Sequence, residues 1–146
     1  MKQMKRSFAL ICLIALALSL ALPAFAVEPQ GKVIDLGDGF YMVTTVTQYT
    51  TYANDKMVYG STSGDYYSGN TKIGTATLAA SFDISGSTAV AKTAVLSGTG
   101  MNGWTFKNGG TKCSGNRATG NVTFTSGSTQ KNSTLTLTCS PSGVIS

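Results

Sequence analysis

The chain has 146 residues, of which 12% are charged and none is histidine. This length suits one domain, and the charged fraction is half of the roughly 25% found in average globular proteins. The lack of histidine excludes catalytic triads, metal sites and proton shuttles that depend on an imidazole. Composition alone therefore narrows the chemistry without indicating an activity.

The first 26 residues have the three parts of a secretory signal peptide. Three basic residues occur within residues 1–6, an apolar run covers residues 8–22, and the small residues Ala24 and Ala26 occupy the −3 and −1 positions. The alternative, an uncleaved membrane anchor, would require an apolar run of about 20 residues. We expect cleavage after Ala26, export, and a single mature domain over residues 27–146.

Removal of this leader changes the charge balance. Eight basic and six acidic residues remain, a net charge of +2, compared with +5 for the whole chain. A nucleic-acid partner therefore loses most of its support. We predict no membrane span in the mature form, because no later segment is long and apolar enough to be one.

The mature chain is rich in glycine, threonine and serine, and its apolar residues follow a period of two. Apolar residues alternate with small or polar ones over residues 75–84, and again over 118–125 and 134–139. This alternation is typical of half-buried antiparallel strands. We predict eight strands, near residues 32–36, 40–49, 56–62, 73–84, 88–97, 104–107, 118–125 and 133–139.

Glycine-containing turn signals separate these strands. They occur at residues 37–39, 63–65, 85–87, 108–110 and 126–128. Many short strands at this spacing predict an all-β fold. We predict an antiparallel β-sandwich, immunoglobulin-like or similar, with a small β-barrel as the alternative.

Two cysteines, Cys113 and Cys139, remain after the leader is removed. In an exported chain two cysteines most often pair with each other, so we predict a structural disulfide between them. A zinc site is a poor alternative, since two cysteines without histidine supply too few ligands.

Several stretches carry a resemblance to known sequences. Residues 66–78, together with residues 103–106, 118–120 and 135–139, resemble small exported β-rich bacterial proteins of uncharacterised function. The resemblance implies a secreted β-rich domain and no particular activity.

Acid–base chemistry in the mature chain depends on very few groups. They are Glu28, Asp35, Asp38, Asp55, Asp65 and Asp83. Asp38 and Asp65 stand beside glycines in predicted turns, where aspartate bonds its own backbone. We therefore predict that the protein is not an enzyme and uses no cofactor or metal, although a pair of carboxylates in a pocket remains an alternative.

Aromatic side chains are the remaining candidates for contact with a ligand. Tyr66 and Tyr67 are adjacent, so a strand would place their rings on opposite faces. Trp104 follows a glycine-containing loop. Exposed aromatic rings stack on sugars or anchor protein partners, and we predict these three as ligand-binding residues. The alternative is that they complete the core.

These observations predict a secreted non-catalytic β-domain that binds an extracellular glycan or protein. Two other classes remain open. The first is a small secreted hydrolase that depends on carboxylates. The second is a self-assembling or pore-forming secreted protein, which a long unprotected edge strand would favour.

Overall fold

The computed structural model describes residues 31–49 and 56–146, and the predicted leader lies outside this part of the chain. The eight predicted strands are confirmed in number and order. They are β1 Lys32–Gly37, β2 Phe40–Gln48, β3 Met57–Ser68, β4 Thr71–Asp83, β5 Val90–Gly100, β6 Thr105–Ser114, β7 Arg117–Ser126 and β8 Thr129–Thr138. The described residues contain no helix that is long and apolar enough to cross a membrane.

The strands form two antiparallel sheets, as predicted for a sandwich. The first has the order β1-β2-β3-β4-β5 and the second the order β6-β7-β8. Neighbouring strands in each sheet are consecutive in the chain, so neither sheet contains the Greek-key connections of an immunoglobulin domain. The immunoglobulin-like order is therefore wrong, while the all-β class and the two antiparallel sheets are confirmed.

The core lies between the two sheets and is built from the alternating residues that the sequence indicates. Leu78 and Phe82 of β4 are fully buried, and so are Phe124 of β7 and Leu135 and Leu137 of β8. Each of these strands turns its apolar side chains inward, with the exception of Ala79, and its threonines outward. Burial of one face fixes the register, because a slip of one residue would move every apolar side chain into water.

Glycines on the inner faces allow the sheets to approach closely. A Cβ atom on Gly74 would lie 2.7 Å from Cζ of Phe124 and 2.6 Å from the carbonyl oxygen of Thr99. A Cβ on Gly64 would lie 3.3 Å from the Leu135 side chain of the other sheet. Gly64 lies inside β3 and is paired with Thr44 of β2 and Ala76 of β4, so the predicted turn over residues 63–65 is wrong.

The predicted turn over residues 108–110 is also wrong. These residues lie inside β6, where the pairing with β7 shifts between Asn108 and Thr111. This shift is a β-bulge, and Gly110 takes a φ of 100° that favours glycine. The bulged strand reaches across to β5: Asn108 Nδ2 donates to the Leu96 carbonyl at 2.9 Å, and Thr111 Oγ1 donates to the Ala94 carbonyl at 3.1 Å. Side chains thus join the edges of the two sheets.

The predicted disulfide is not formed, and both cysteines are free. Cys113 of β6 is paired with Ala118 of β7, which is paired with Leu137 of β8. Because β7 stands between the two cysteine-bearing segments, Cys113 lies about 10 Å from β8. A disulfide needs Cα atoms within about 7 Å. Cys113 is exposed, whereas Cys139 is buried among core residues.

Candidate functional site

Four tyrosines lie on the solvent side of the five-stranded sheet. Tyr41 of β2 is paired directly with Tyr67 of β3. Tyr49 follows the end of β2, and its N–H donates to the carbonyl of Tyr59 at 3.0 Å. The period of two that buries Met42 also sends these alternate residues outward. We call this surface the tyrosine face.

Tyr49 and Tyr59 form the more exposed end of the tyrosine face. Their exposed fractions are 52% and 46%, and that of the neighbouring Val95 is 64%. The Tyr49 hydroxyl forms a hydrogen bond of 3.2 Å with Ser61 Oγ, which limits the orientations of that ring. A shallow depression of about 250 Å³ lies between these side chains. Its lining consists of Tyr49, Tyr59, Gly60, Ala79, Ala80, Ser81, Thr93 and Val95.

The floor of this depression is made of small and uncharged side chains. Ala79 of β4 presents only a methyl group, and Ser81 of β4 forms a hydrogen bond of 2.7 Å with Thr93 of β5. Small residues leave the two tyrosine rings standing above their surroundings. A flat ligand can therefore lie against ring faces and meet hydroxyl groups at the same time.

A row of hydroxyl groups crosses the tyrosine face between its two ends. The register places Thr45, Ser63, Thr77 and Ser97 side by side on β2 to β5. Ser63 Oγ and Thr77 Oγ1 are 2.9 Å apart and share a hydrogen bond. These groups form a level polar surface with few long side chains.

The second tyrosine pair lies at the other end of β2. The rings of Tyr41 and Tyr67 are stacked, with centroids 5.0 Å apart and planes inclined by 8°. Tyr41 and Tyr49 are eight residues apart on one strand, which corresponds to about 27 Å. Each ring of the stacked pair covers one face of the other, so this pair offers less free ring surface than Tyr49 and Tyr59.

The other two predicted ligand residues have different positions. Tyr66 is only 2% exposed, its ring contacts Phe124 at 4.7 Å, and its hydroxyl shares a hydrogen bond of 2.8 Å with Ser133 Oγ. Burial raises the pKa of this phenol, and the bond to Ser133 partly opposes the rise. Tyr66 is thus a core residue and not a ligand contact.

Trp104 is half-buried at one end of the sandwich. Its ring meets Phe40 edge-on, with centroids 5.5 Å apart. The structure therefore does not bring Trp104 together with Tyr67 on one surface. Of the three predicted residues only Tyr67 lies on the tyrosine face; the prediction did not include Tyr41, Tyr49 and Tyr59, which share that face. The even spacing of Tyr41 and Tyr49 along the chain is the signal that would have placed both of these rings on one face.

The four described carboxylates are each engaged by a lysine or by a backbone N–H group. Lysine ammonium groups pair with Asp65 at 3.0 Å, with Asp83 at 3.5 Å and with Asp38 at 2.6 Å. Asp35 accepts a hydrogen bond from the Gly37 N–H at 2.8 Å. Within residues 31–49 and 56–146 no group of three or more side chains could hold a metal ion.

Described residues also line two other depressions. One, of about 320 Å³, is lined by the β4–β5 and β6–β7 connections and by Pro141. The other, of about 300 Å³, lies where β8 faces the inner side of β1 and β2. Neither is lined by an aromatic ring, and neither is lined by an aspartate or glutamate side chain. The depression beside Tyr49 and Tyr59 therefore has the features best suited to recognition.

Comparison of the chain with known protein families, curated proteins and solved structures finds no match.

Proposed function

We propose that the protein is a secreted, non-catalytic binding module that holds an uncharged extracellular ligand on the tyrosine face. The observation that supports this most is the exposure of Tyr49 and Tyr59 around a depression with a small, uncharged floor. Exposed aromatic rings grouped around a depression are a feature of ligand-binding surfaces.

A glycan fits this surface better than a protein side chain. The apolar face of a sugar ring stacks on tyrosine, while its hydroxyl groups exchange hydrogen bonds with serine and threonine. The depression supplies both, with rings from Tyr49 and Tyr59 and hydroxyl groups from Ser81 and Thr93. Its described lining residues include no charged side chain, which favours a neutral sugar chain over an ionic ligand.

Two further observations support secretion and the absence of catalysis. The basic, apolar and small-residue parts of residues 1–26 are those of an export signal. The described carboxylates that could act as acid or base are committed to ion pairs or a local turn, and none lines the depression. A hydrolase would need such a group within hydrogen-bond reach of its substrate.

The test is calorimetric titration of the purified protein with neutral cell-wall and plant glycans. Tyr59→Ala and the double variant Tyr49→Ala/Tyr59→Ala should weaken the affinity about tenfold or more. Loss of an aromatic anchor costs over 1 kcal/mol of binding free energy, and 1.4 kcal/mol corresponds to a tenfold change in Kd. Val144→Ala, at a site 59% exposed and outside the depression, is the matched control and should bind as the wild type does.

Two results would contradict the proposal. Unchanged affinity of the double variant would remove the tyrosine face as the site. Turnover of a glycan that stops when Asp65 or Asp83 is replaced by asparagine would show that the protein is a hydrolase.

A further inference from the structure

The outer face of the three-stranded sheet carries three cations. The register sets Lys107 and Lys112 of β6 opposite Thr123 and Thr119 of β7. Arg117 has the same parity on β7 as those threonines, whereas Ala118, Gly120 and Val122 face the core. All three cations are exposed. We call this surface, the solvent side of β6, β7 and β8, the basic face.

No acidic side chain in the described part of the chain pairs with these three cations. Residues 105–146 contain four basic residues and no aspartate or glutamate. The fourth, Lys131, is bonded to Asp38 at the end of β1. Lys107, Lys112 and Arg117 have no ion-pair partner in the described part of the chain. Their field is therefore uncompensated at this surface.

The five-stranded sheet has no such excess of positive charge. Its described basic residues are matched in number by its described acidic residues. Lys72 pairs with Asp65, and Lys92 pairs with Asp83. Positive charge is thus concentrated on one of the two outer faces.

Hydrogen bonds within the basic face leave donors pointing outward. The side-chain oxygen of Asn132 accepts from Thr123 Oγ1 at 2.8 Å and from Gln130 Nε2 at 3.1 Å. The side-chain oxygen of Asn121 accepts from Thr134 Oγ1 at 3.1 Å. The Nδ2 amino groups of both asparagines have no partner among the described residues. Together with the cations, they form a surface of N–H donors suited to anionic oxygens.

We propose that the basic face binds a linear anionic glycan, one that carries carboxylate or sulfate groups at intervals. Lys107 and Lys112 lie beside Thr123 and Thr119 of β7, which are four residues apart, and Arg117 lies two residues beyond Thr119. The three cations therefore span six residues of a strand, about 20 Å. A small anion cannot reach all three, whereas a chain with repeated anionic groups can. This site is independent of the tyrosine face and takes a ligand of the opposite character.

A single-stranded nucleic acid would also supply repeated negative charge. Proteins that bind single strands combine cations with aromatic rings on which the bases stack. The outward residues of β6, β7 and β8 include no aromatic residue, since Phe106 and Phe124 pack into the core. Hydroxyl and amide groups cover the face instead and match the hydroxyl groups of a sugar chain. The glycan is thus the better occupant.

The test measures binding of fluorescent heparin, polygalacturonate and oligo-dT between 50 and 200 mM salt. The wild type should bind at least one of the two glycans. The logarithm of its association constant should fall with the logarithm of the salt concentration with a slope near −2, if each of three neutralised charges contributes about −0.7 as it does for single-stranded polyanions. The variant Lys107→Gln/Lys112→Gln/Arg117→Gln should lose at least tenfold in affinity, and its slope should approach zero. The control Lys32→Gln/Lys56→Gln/Lys92→Gln changes net charge equally and should stay within threefold of the wild type.

Each contrary result overturns the proposal. Equal losses in the two triple variants would mean that net charge, and not this face, attracts the polymer. Oligo-dT bound as tightly as the glycans would remove the assignment to a glycan. The absence of binding to either glycan at 50 mM salt would remove the site. Tyr49→Ala/Tyr59→Ala should leave binding of the anionic glycan intact, which separates this test from that of the tyrosine face.

Discussion

Replacement of Gly74 by alanine tests whether glycine on the inner face of β4 sets the distance between the sheets. The φ of Gly74 is outside the left-handed region, so an alanine backbone fits and only space decides. The new methyl would overlap the Phe124 ring and would lie 2.6 Å from the Thr99 carbonyl oxygen. Overpacking costs about 1–3 kcal/mol, while the lower entropy of the unfolded alanine chain returns about 0.4–1 kcal/mol. We expect a net loss of about 1–2 kcal/mol.

Urea unfolding monitored by the fluorescence of Trp104, the single tryptophan, measures this loss. With a slope of about 2 kcal/mol per molar urea, the middle of the usual range, the midpoint should fall by about 0.5–1 M. Gly86→Ala is the matched control, because the nearest atom to its new methyl would be 3.9 Å away; its midpoint should stay or rise slightly. If Gly74→Ala unfolds at the same urea concentration as Gly86→Ala, the close approach of the sheets at Phe124 is wrong.

Two more predictions concern buried groups. Burial holds the pKa of Tyr66 above its ordinary value of 10.0. The neutral phenol therefore stabilises the folded state. This contribution is fully present below pH 10 and is lost as the pH rises through the higher pKa of the folded state. Thermal unfolding between pH 8 and 11 should therefore show a smaller alkaline loss in Tyr66→Phe than in the wild type; identical profiles would refute this origin. When the folded proteins are treated with a thiol reagent, Cys113→Ser should show one fast-reacting thiol fewer than the wild type. Cys139→Ala should show the same number as the wild type, since of these two cysteines only Cys113 is exposed. Mass spectrometry that finds the two cysteines bonded would contradict that expectation.

The parts of the fold that depend on one buried face could be predicted from the sequence. The alternation over residues 75–84 places Leu78 and Phe82 in the core, and the structure agrees. The same holds for β7 and β8, where threonines alternate with apolar residues. In each case the information is local, because a strand with one face exposed to solvent has to alternate apolar and polar residues.

Features that depend on the second sheet could not be predicted in this way. Ser63, Gly64 and Asp65 have the composition of a turn, but Gly64 is needed where Leu135 of the other sheet approaches β3. Pairing of cysteines was predicted from their number and from export, whereas their distance depends on β7 lying between them. Local sequence contains neither fact.

The candidate site illustrates the same limit. Adjacent tyrosines imply that one ring faces outward, and this is Tyr67. Which of the two it is depends on the register of β3, and the inner face of that strand contains glycines and a threonine that give little apolar signal. The exposure of Tyr49 and Tyr59 depends in turn on the small residues that β4 and β5 place beside them.

A period of two also explains how one small domain can offer two unlike surfaces. Inward residues alone build the core, so outward residues are free to carry tyrosine and hydroxyl groups on one sheet and cations and amides on the other. Substitutions confined to outward positions usually change stability by less than about 0.5 kcal/mol. The charge and tyrosine variants should therefore keep their unfolding midpoints close to that of the wild type. A loss of binding in a variant with an unchanged midpoint then reports on the surface itself, and a variant that unfolds early would show that its side chain belongs to the core.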